Sequence, residues 1–266
     1  MATTEYATWV DPERPYILLT NDDGVSSPAL AALASEVSRI GQVVVLAPDH
    51  NWSAAGHTKT MHKPLRVSPT ELASGMPALA TSGSPSDCVA FTVLGLLGTV
   101  PALVVSGINQ GANVGHDLTY SGTVAAAMEA HISGIPALAV SLDSYAPVDP
   151  EPAARFASRL CRTMLEQPSE HPLLLNVNVP ALGEGEIAGV RLTRLGQRVY
   201  RDALLERHDP RGRSYYWIGG DPPSGLPLEG TDIGALAEGC VSVTPIQLDL
   251  TDQPGLEALA DWPLWR

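Results

Sequence analysis

Tyr16-Ile-Leu-Leu-Thr-Asn-Asp-Asp-Gly24 is the stretch from which the rest of the chain can be read. Five residues, mostly apolar, run straight into an amide, two adjacent carboxylates and a glycine. A short continuous apolar run bounded by turn signals is the pattern of a strand buried on both faces. Side chains alternate faces along a strand, so Asp22 and Asp23 can address one ligand only after the chain has left the strand. Gly24 permits that turn, because glycine accepts backbone angles that other residues resist. Two carboxylates held side by side repel each other and suppress each other's ionisation unless a cation lies between them. The stretch points to a divalent metal site at the C-terminal end of the first strand. The simpler alternative is that either aspartate caps the next helix or makes an Asx turn.

Downstream, Ser27-Pro28 is a helix start, a capping hydroxyl followed by proline in the first turn. Leu30, Leu33, Ala34, Val37 and Ile40 recur at helical spacing, and Gly41 closes the helix. Val43-Val-Val-Leu-Ala47 is the next strand, so the unit is βαβ and the sheet is expected to be parallel there. Residues 58–69 read as an excursion from the sheet, a hairpin in outline, and Leu79-Ala-Thr81 as a weak strand. A helix over 87–97, a strand over 102–106, a helix over 123–131, a strand over 137–141 and a helix over 152–166 follow. Residues 173–177 read as the last strand of the main sheet. The fold class is α/β, a mostly parallel sheet flanked by helices.

Beyond Pro180 the texture changes. Val190 to Asp202 is basic and roughly alternating, and Tyr215-Tyr-Trp-Ile218 alternates again. Thr231-Asp232 precedes a short helix, and Val241-Ser-Val-Thr244 is a strand. This region reads as extended hairpins with little core of their own, suited to packing on another subunit; a floppy β-rich extension is the alternative.

Polar, glycine-containing clusters sit just after strands at Asn21–Gly24, Asp49–Gly56, Ser82–Asp87 and Ser106–Gly122. Ligands of open α/β sheets bind at the carboxyl ends of the strands, so four such clusters are expected to converge on one crevice. A long loop over 107–122, carrying four glycines and ending Tyr120-Ser-Gly-Thr123, is uncommon in a compact domain unless functional. Ser121, Gly122 and Thr123 precede a helix and can cradle a phosphate through hydroxyls and backbone N–H groups. Asn109 and Ser53 offer neutral oxygens that a hard cation accepts beside carboxylates. Ser82–Asp87 offers a second anion-friendly helix start, although capping alone accounts for Ser84 or Ser86.

Composition narrows the function classes. The 266 residues can bury a substantial core, and 44% are hydrophobic, as in a globular chain. A net charge of −13 argues against gripping nucleic acid along its backbone. It leaves room for a small phosphate-bearing substrate, because a bound dication reverses the local field. Only Lys59 and Lys63 are lysines; the rest of the positive charge is arginine. No apolar run approaches the roughly 18 residues of a membrane span. Met1 to Arg14 has no apolar core of the signal-peptide kind, so a cytoplasmic location is expected. Cys88, Cys161 and Cys240 are widely spaced and odd in number, which suits reduced thiols and makes no zinc pattern. No dinucleotide glycine fingerprint follows the first strand, and no P-loop or serine-hydrolase elbow is present. The aspartates are adjacent, whereas phosphatases with an aspartyl nucleophile usually carry them two apart.

Asn21-Asp-Asp-Gly24, Ser53 with its Pro48-Asp-His-Asn-Trp52 lead-in, Gly83-Ser-Pro-Ser-Asp-Cys-Val89, Ser106-Gly-Ile-Asn-Gln-Gly-Ala-Asn113 and Tyr120-Ser-Gly-Thr123 together resemble the survival protein E (SurE) family of 5′/3′-nucleotidases. The resemblance runs from about Tyr16 to Thr251, with the motifs in the family's order. Ser84 stands where threonine is frequent, and Ala54-Ala55 follows Ser53 where a glycine is common. The resemblance implies a metal-dependent phosphomonoesterase acting on nucleoside monophosphates. It implies a Rossmann-like catalytic core, taken as residues 1–180. Residues 181–266 would form arms exchanged between subunits of a homodimer or homotetramer. By match to the family's motifs Asp22, Asp23, Ser53 and Asn109 would hold one divalent ion per subunit, manganese or magnesium.

The expected chemistry is in-line attack by a water that Asp22 or Asp23 orients or deprotonates, with Asn113, Ser121, Gly122 and Thr123 holding the phosphate. His116 and His57 are candidates for the acid that protonates the leaving group, against the plainer reading of both as surface histidines. A nucleotide- or phosphate-binding regulator without turnover, and a metal-dependent sugar-nucleotide transferase, are the alternatives that the same residues allow.

Overall fold

The computed structural model describes residues 4–200, 202–220 and 224–265. Arg201, from the basic stretch noted above, and Met1 to Thr3, from the segment read for a leader, lie outside the described residues.

The strands are β1 (Tyr16–Thr20), β2 (Gln42–Pro48), β3 (Val67–Glu71), β4 (Pro77–Thr81), β5 (Leu103–Gln110), β6 (Ala137–Asp143), β7 (Leu174–Pro180), β8 (Gly189–Leu192), β9 (Arg198–Val199), β10 (Asp202–His208), β11 (Ser214–Gly220), β12 (Ser224–Gly225) and β13 (Cys240–Pro245). The α-helices are α1 (Pro28–Val37), α2 (Pro85–Val93), α3 (Gly122–Ile132), α4 (Glu151–Glu166), α5 (Asp232–Ala237) and α6 (Gln253–Ala260).

Nine strands form one sheet in the order β3-β4-β2-β1-β5-β6-β7-β13-β8. The run from β4 to β7 is parallel throughout, with β3 and β13 joining antiparallel at either side and β8 parallel to β13. All five residues of β1 are buried, as the unbroken apolar run requires of a strand covered on both faces. Their alternation divides the core. Ile17 and Leu19 pack with Leu30, Leu33 and Val37 of α1 and with Ala153 and Ala157 of α4. Tyr16 and Leu18 pack on the other face with Val89 of α2 and with Val124, Ala127 and Ala130 of α3. Leu18 and Leu19 are fully buried, each worth roughly 1.5–3 kcal/mol in removed apolar surface. Small residues along α3 let that helix lie close to the sheet, which brings its N-terminus beside the end of β1.

Most elements fall where periodicity places them. α1 begins at a Ser27 hydroxyl that accepts from the Leu30 N–H and buries the expected face. Three differences have physical causes. Residues 173–177 do not end the sheet: β13 and β8, both drawn from beyond Pro180, extend it. Val190 and Leu192 stay half or more exposed on β8, an edge strand, so their pattern carried no burial signal. α2 starts at Pro85, because Ser84 and Asp87 close a reciprocal capping box, and it ends at Val93 ahead of Gly95. The loop expected from residue 107 is strand as far as Gln110, with a register shift between Ser106 and Asn109, followed by a 3-10 turn at Gly115–Tyr120.

β10 and β11 form a two-stranded hairpin of their own. Leu204, Leu205, Tyr215, Tyr216, Trp217 and Ile218 are exposed on it. All three cysteines are free and buried, and burial pushes the Cys88 and Cys161 thiols upward, the latter to about 12. No helix among the described residues is long and apolar enough to cross a membrane.

Candidate active site

β1, β2 and β5 are adjacent and end on the same side, so the loops that follow them meet. After Thr20 the chain turns through Asn21, whose side chain donates to the Gly24 carbonyl at 3.0 Å and accepts the Gly24 N–H at 3.1 Å. Gly24 holds φ +97, and a Cβ there would meet the His50 backbone at 3.2 Å. The turn thus requires glycine twice, for conformation and for the approach of the β2 loop. Asn21 makes the Asx-type turn, and the two aspartates are left to face outward from the strand end.

Asp22 is 4% exposed. The Thr123 hydroxyl donates to its Oδ1 at 2.5 Å, and the Gly122 and Thr123 N–H groups also donate to it, so the N-terminus of α3 points at this carboxylate. A Cβ on Gly122 would stand 2.8 Å from the Asp22 Cβ and 3.0 Å from its Oδ2, which reserves the position for glycine. Burial nevertheless raises the Asp22 pKa above the usual carboxylate range.

Asp23 is less buried. Its carboxylate accepts from the Gln110 N–H and, at 3.4 Å, from the Asn51 amide. Burial first, and the neighbouring Asp22 second, push its pKa up to about 6. The β2 loop is tied back to the same point, since the Trp52 N–H donates to the Asp22 carbonyl at 2.7 Å.

A cleft of about 490 Å³ opens over this junction, lined by Asp22, Ser53, Asn109, Asn113 and Ser121, with Tyr120, Tyr145 and Tyr200 around its rim. Asp23 lies on the adjacent side, in a neighbouring hollow with Ser26 and Gln110. Asn109 donates its amide to the Gly111 carbonyl at 2.8 Å, which leaves its Oδ1 as the free acceptor. The Ser121 hydroxyl caps α3 by accepting the Val124 N–H. Asn113 is held firmly: its amide donates to Ser141 Oγ at 2.8 Å, and its N–H donates to Asn178 Oδ1 at 2.8 Å.

Among the described residues no lysine or arginine lines the cleft, and no three His, Cys, Asp or Glu side chains come together as a metal site of those types. Asp22, Asp23, Ser53 and Asn109 all offer oxygen, the donor type that hard cations take.

The expectation of four converging clusters needs correction. Ser82–Asp87 does not line the cleft. Ser84 and Asp87 cap α2, the Ser84 hydroxyl donates to the Thr58 carbonyl at 2.9 Å, and Asp87 accepts the Thr60 N–H at 2.9 Å. That cluster secures the β2 loop from behind. His57 is also spoken for, with its Nε2 3.1 Å from Glu129 Oε2, while His116 lies exposed on the 3-10 turn.

Sequence reasoning overlooked Asp117 and Asp232. Asp117 lines the cleft, and it accepts from Arg198 Nε at 2.7 Å and from the Tyr200 hydroxyl, which brings the start of the arm region to the rim. Asp232, wholly buried, accepts the Gly115 and Gly196 N–H groups at 2.8 and 2.7 Å. No local pattern marks either residue, since their partners lie far away in the chain.

Residues 17–202 match the family model for survival protein SurE. The chain belongs to the SurE family. It is 53% identical over 251 residues to a protein of Chloroflexus aggregans named 5′-nucleotidase SurE, across 93% of this chain and 98% of that one. A protein of the same name from Herpetosiphon aurantiacus is 52% identical over 247 residues, 92% of this chain and 96% of its own. The crystal structure of a SurE protein from Aquifex aeolicus superposes with a TM-score of 0.79 at 38% identity, covering 93% of this chain and all of that one. The SurE match, which ends at residue 202, takes in every residue lining the cleft and stops where β10 begins.

Proposed function

We propose that this protein is a metal-dependent phosphomonoesterase that hydrolyses nucleoside 5′- and 3′-monophosphates to nucleoside and phosphate. The observation that carries the reading is the cleft of a SurE-family chain in which Asp22, Ser53 and Asn109 meet beside Asp23, with no basic side chain in the lining among the described residues. A phosphate approaching it meets carboxylates in a protein of net charge −13, so binding needs a cation from outside the polypeptide. The relatives named 5′-nucleotidase SurE support a nucleotide as the substrate.

Asp22, Asp23, Ser53 and Asn109 would hold one divalent ion, manganese or magnesium. The fit is chemical: all four offer oxygen, and burial holds both carboxylates above their ordinary pKa, with the neighbouring Asp22 adding to the shift of Asp23. Bound there, such an ion neutralises phosphoryl oxygens and acidifies a water. The remaining work belongs to the side chains. Asp23, the more accessible carboxylate, orients the attacking water and takes up its proton. Asp22 is kept still by Thr123 and by the first N–H groups of α3, so Gly122 and Thr123 act through Asp22. Ser121 and Asn113 line the cleft and receive the phosphate. Tyr120, Tyr145 and Tyr200 of the cleft lining would face the nucleoside.

The exposed apolar hairpin of β10 and β11 suits an arm that packs on another subunit of a homodimer or homotetramer. A two-stranded ribbon with this much apolar surface has no core of its own to bury it.

The test is phosphate release from a panel of 5′- and 3′-nucleoside monophosphates with manganese, with magnesium and with chelator. Release that disappears with chelator and returns with metal is the expected result. Undiminished release in chelator overturns the metal dependence, and no release under any metal overturns the enzymatic reading.

A further inference from the structure

The segment from Ser53 to Thr60 has no regular secondary structure, so its position depends on individual contacts. Its beginning is tied to the Asp22 carbonyl through Trp52, and its end to Asp87 through the Thr60 N–H. Between these ends the Gly56 N–H donates to the Tyr120 carbonyl at 3.0 Å. The Thr58 carbonyl accepts from the Ser84 hydroxyl at 2.9 Å, and a further hold comes from a single carboxylate. Glu129 of α3 takes His57 Nε2 on Oε2 at 3.1 Å and accepts from Lys59 Nζ on Oε1 at 2.7 Å. Its side chain is only 10% exposed, whereas Lys59 reaches in from a side chain that is 48% exposed. A carboxylate this buried is costly without partners, and both of its oxygens find them on the loop that carries Ser53.

The helix geometry gives the arrangement its meaning. Gly122 and Glu129 lie two turns apart on one stripe of α3, roughly 10 Å at 1.5 Å per residue. Gly122, in the first turn, abuts Asp22. Glu129, two turns on, grips the Ser53 loop. One rigid element thus holds both sides of the cleft.

We propose that Glu129 is a positioning residue: through His57 and Lys59 it locks the Ser53 loop in register with Asp22, so that α3 sets the separation of the Ser53 and Asp22 sides of the site. This rests on the reading of Ser53 as one of the metal-holding oxygens. It also assigns His57 to the tether and removes it from proton donation to the leaving group.

The test is Glu129→Gln, which keeps the shape but removes the charge and turns an amide N–H₂ toward one of the two donors. Hydrogen exchange on the metal-free protein reads the tether directly. Amides of 53–60 are expected to exchange about tenfold faster, while those of 124–130 in α3 stay within about twofold of the parent. Titration with Mn²⁺ is expected to show about tenfold weaker binding, the scale on which groups behind a metal's ligands act. In phosphate release, the Mn²⁺ concentration for half-maximal rate rises in step, while kcat at saturating Mn²⁺ stays within about threefold.

Unchanged exchange over 53–60 overturns the proposal, as does a fall in kcat with an unaltered Mn²⁺ dependence. Lys59→Met leaves α3 intact and is read in the same way, so the question stays decidable if Glu129→Gln does not fold. If the parent protein binds no Mn²⁺, the metal reading of the site fails, and the exchange comparison still decides the tether.

Discussion

Thr123 donates its hydroxyl to Asp22 across 101 residues of chain, joining the first turn of α3 to the end of β1 at 2.5 Å. Hydrogen bonds to charged groups contribute about 1.5–3 kcal/mol, roughly ten- to hundredfold if the geometry serves the transition state. Thr123→Val is expected to lower kcat by about that factor with little change in nucleotide KM, and Thr123→Ser to recover most of it. Steady-state phosphate release on the three proteins checks this, and equal rates for valine and serine would count against it.

Gly122→Ala places a methyl 2.8 Å from the Asp22 Cβ. Overpacking of this kind costs about 1–3 kcal/mol, and here the strain is relieved by pushing the carboxylate aside. Activity is expected to fall at least tenfold while thermal stability drops modestly. A variant that melts at the parent temperature and turns over normally would show that Asp22 is not held as described.

Asp23→Asn is expected to abolish most turnover and to stabilise the metal-free protein above pH 6. The sign follows from the direction of the shift. Asp23 titrates at about 6 in the folded protein against 3.8 as a free carboxyl, so the folded state binds the proton more tightly. That contribution to stability is present below about pH 4 and is lost as pH rises through 6. Since the group is partly exposed, the effect is about 1–2 kcal/mol after solvent screening. Melting of the metal-free parent should therefore shift downward between pH 4.5 and 7.5, a slope that Asp23→Asn flattens. Added Mn²⁺ should raise the parent's melting temperature more at pH 7.5 than at pH 4.5, because metal and proton compete for the same oxygens.

Asp232→Ala removes a fully buried carboxylate and orphans the Gly115 and Gly196 N–H groups. A loss of about 3 kcal/mol is expected by urea unfolding, together with weaker activity, since Gly115 opens the turn that carries Asp117 and Tyr120. Full stability in the alanine variant would contradict this account.

Trp217→Ser combined with Ile218→Ser removes the two most exposed large apolar side chains of β11. If that hairpin packs on another subunit, light scattering after size exclusion should give a monomer mass for the double variant and a multiple of it for the parent. An unchanged mass would send the contact elsewhere.

The strand-helix alternation from Tyr16 to Pro180 was legible because its signals are local. Continuous apolar runs, the Ser27 cap and the Gly24 turn each act within a few residues of chain, and the structure uses them as they read. The polar clusters at the carboxyl ends of β1, β2 and β5 were legible for the same reason. The edge of the sheet was not. β8 is largely exposed and β13 reaches β7 from beyond a long detour, so no periodicity announced that they would extend the core sheet.

The sequence by itself determined the fold class, the family resemblance and the polar clusters at the strand ends, because each depends on residue type and short spacing. Only the tertiary structure decided how those residues are held. The Thr123 hydroxyl, a phosphate ligand by sequence, bonds Asp22; His57, an acid candidate against the plainer surface reading, joins Lys59 on Glu129; Ser84, an anion site or a helix cap by sequence, caps α2 and secures the loop behind Ser53. In every case the deciding contact lies at least 26 residues away along the chain, the separation of Ser84 and Thr58. The tertiary fold brings such partners together, and a hydroxyl or imidazole commits to whichever acceptor it then finds within reach.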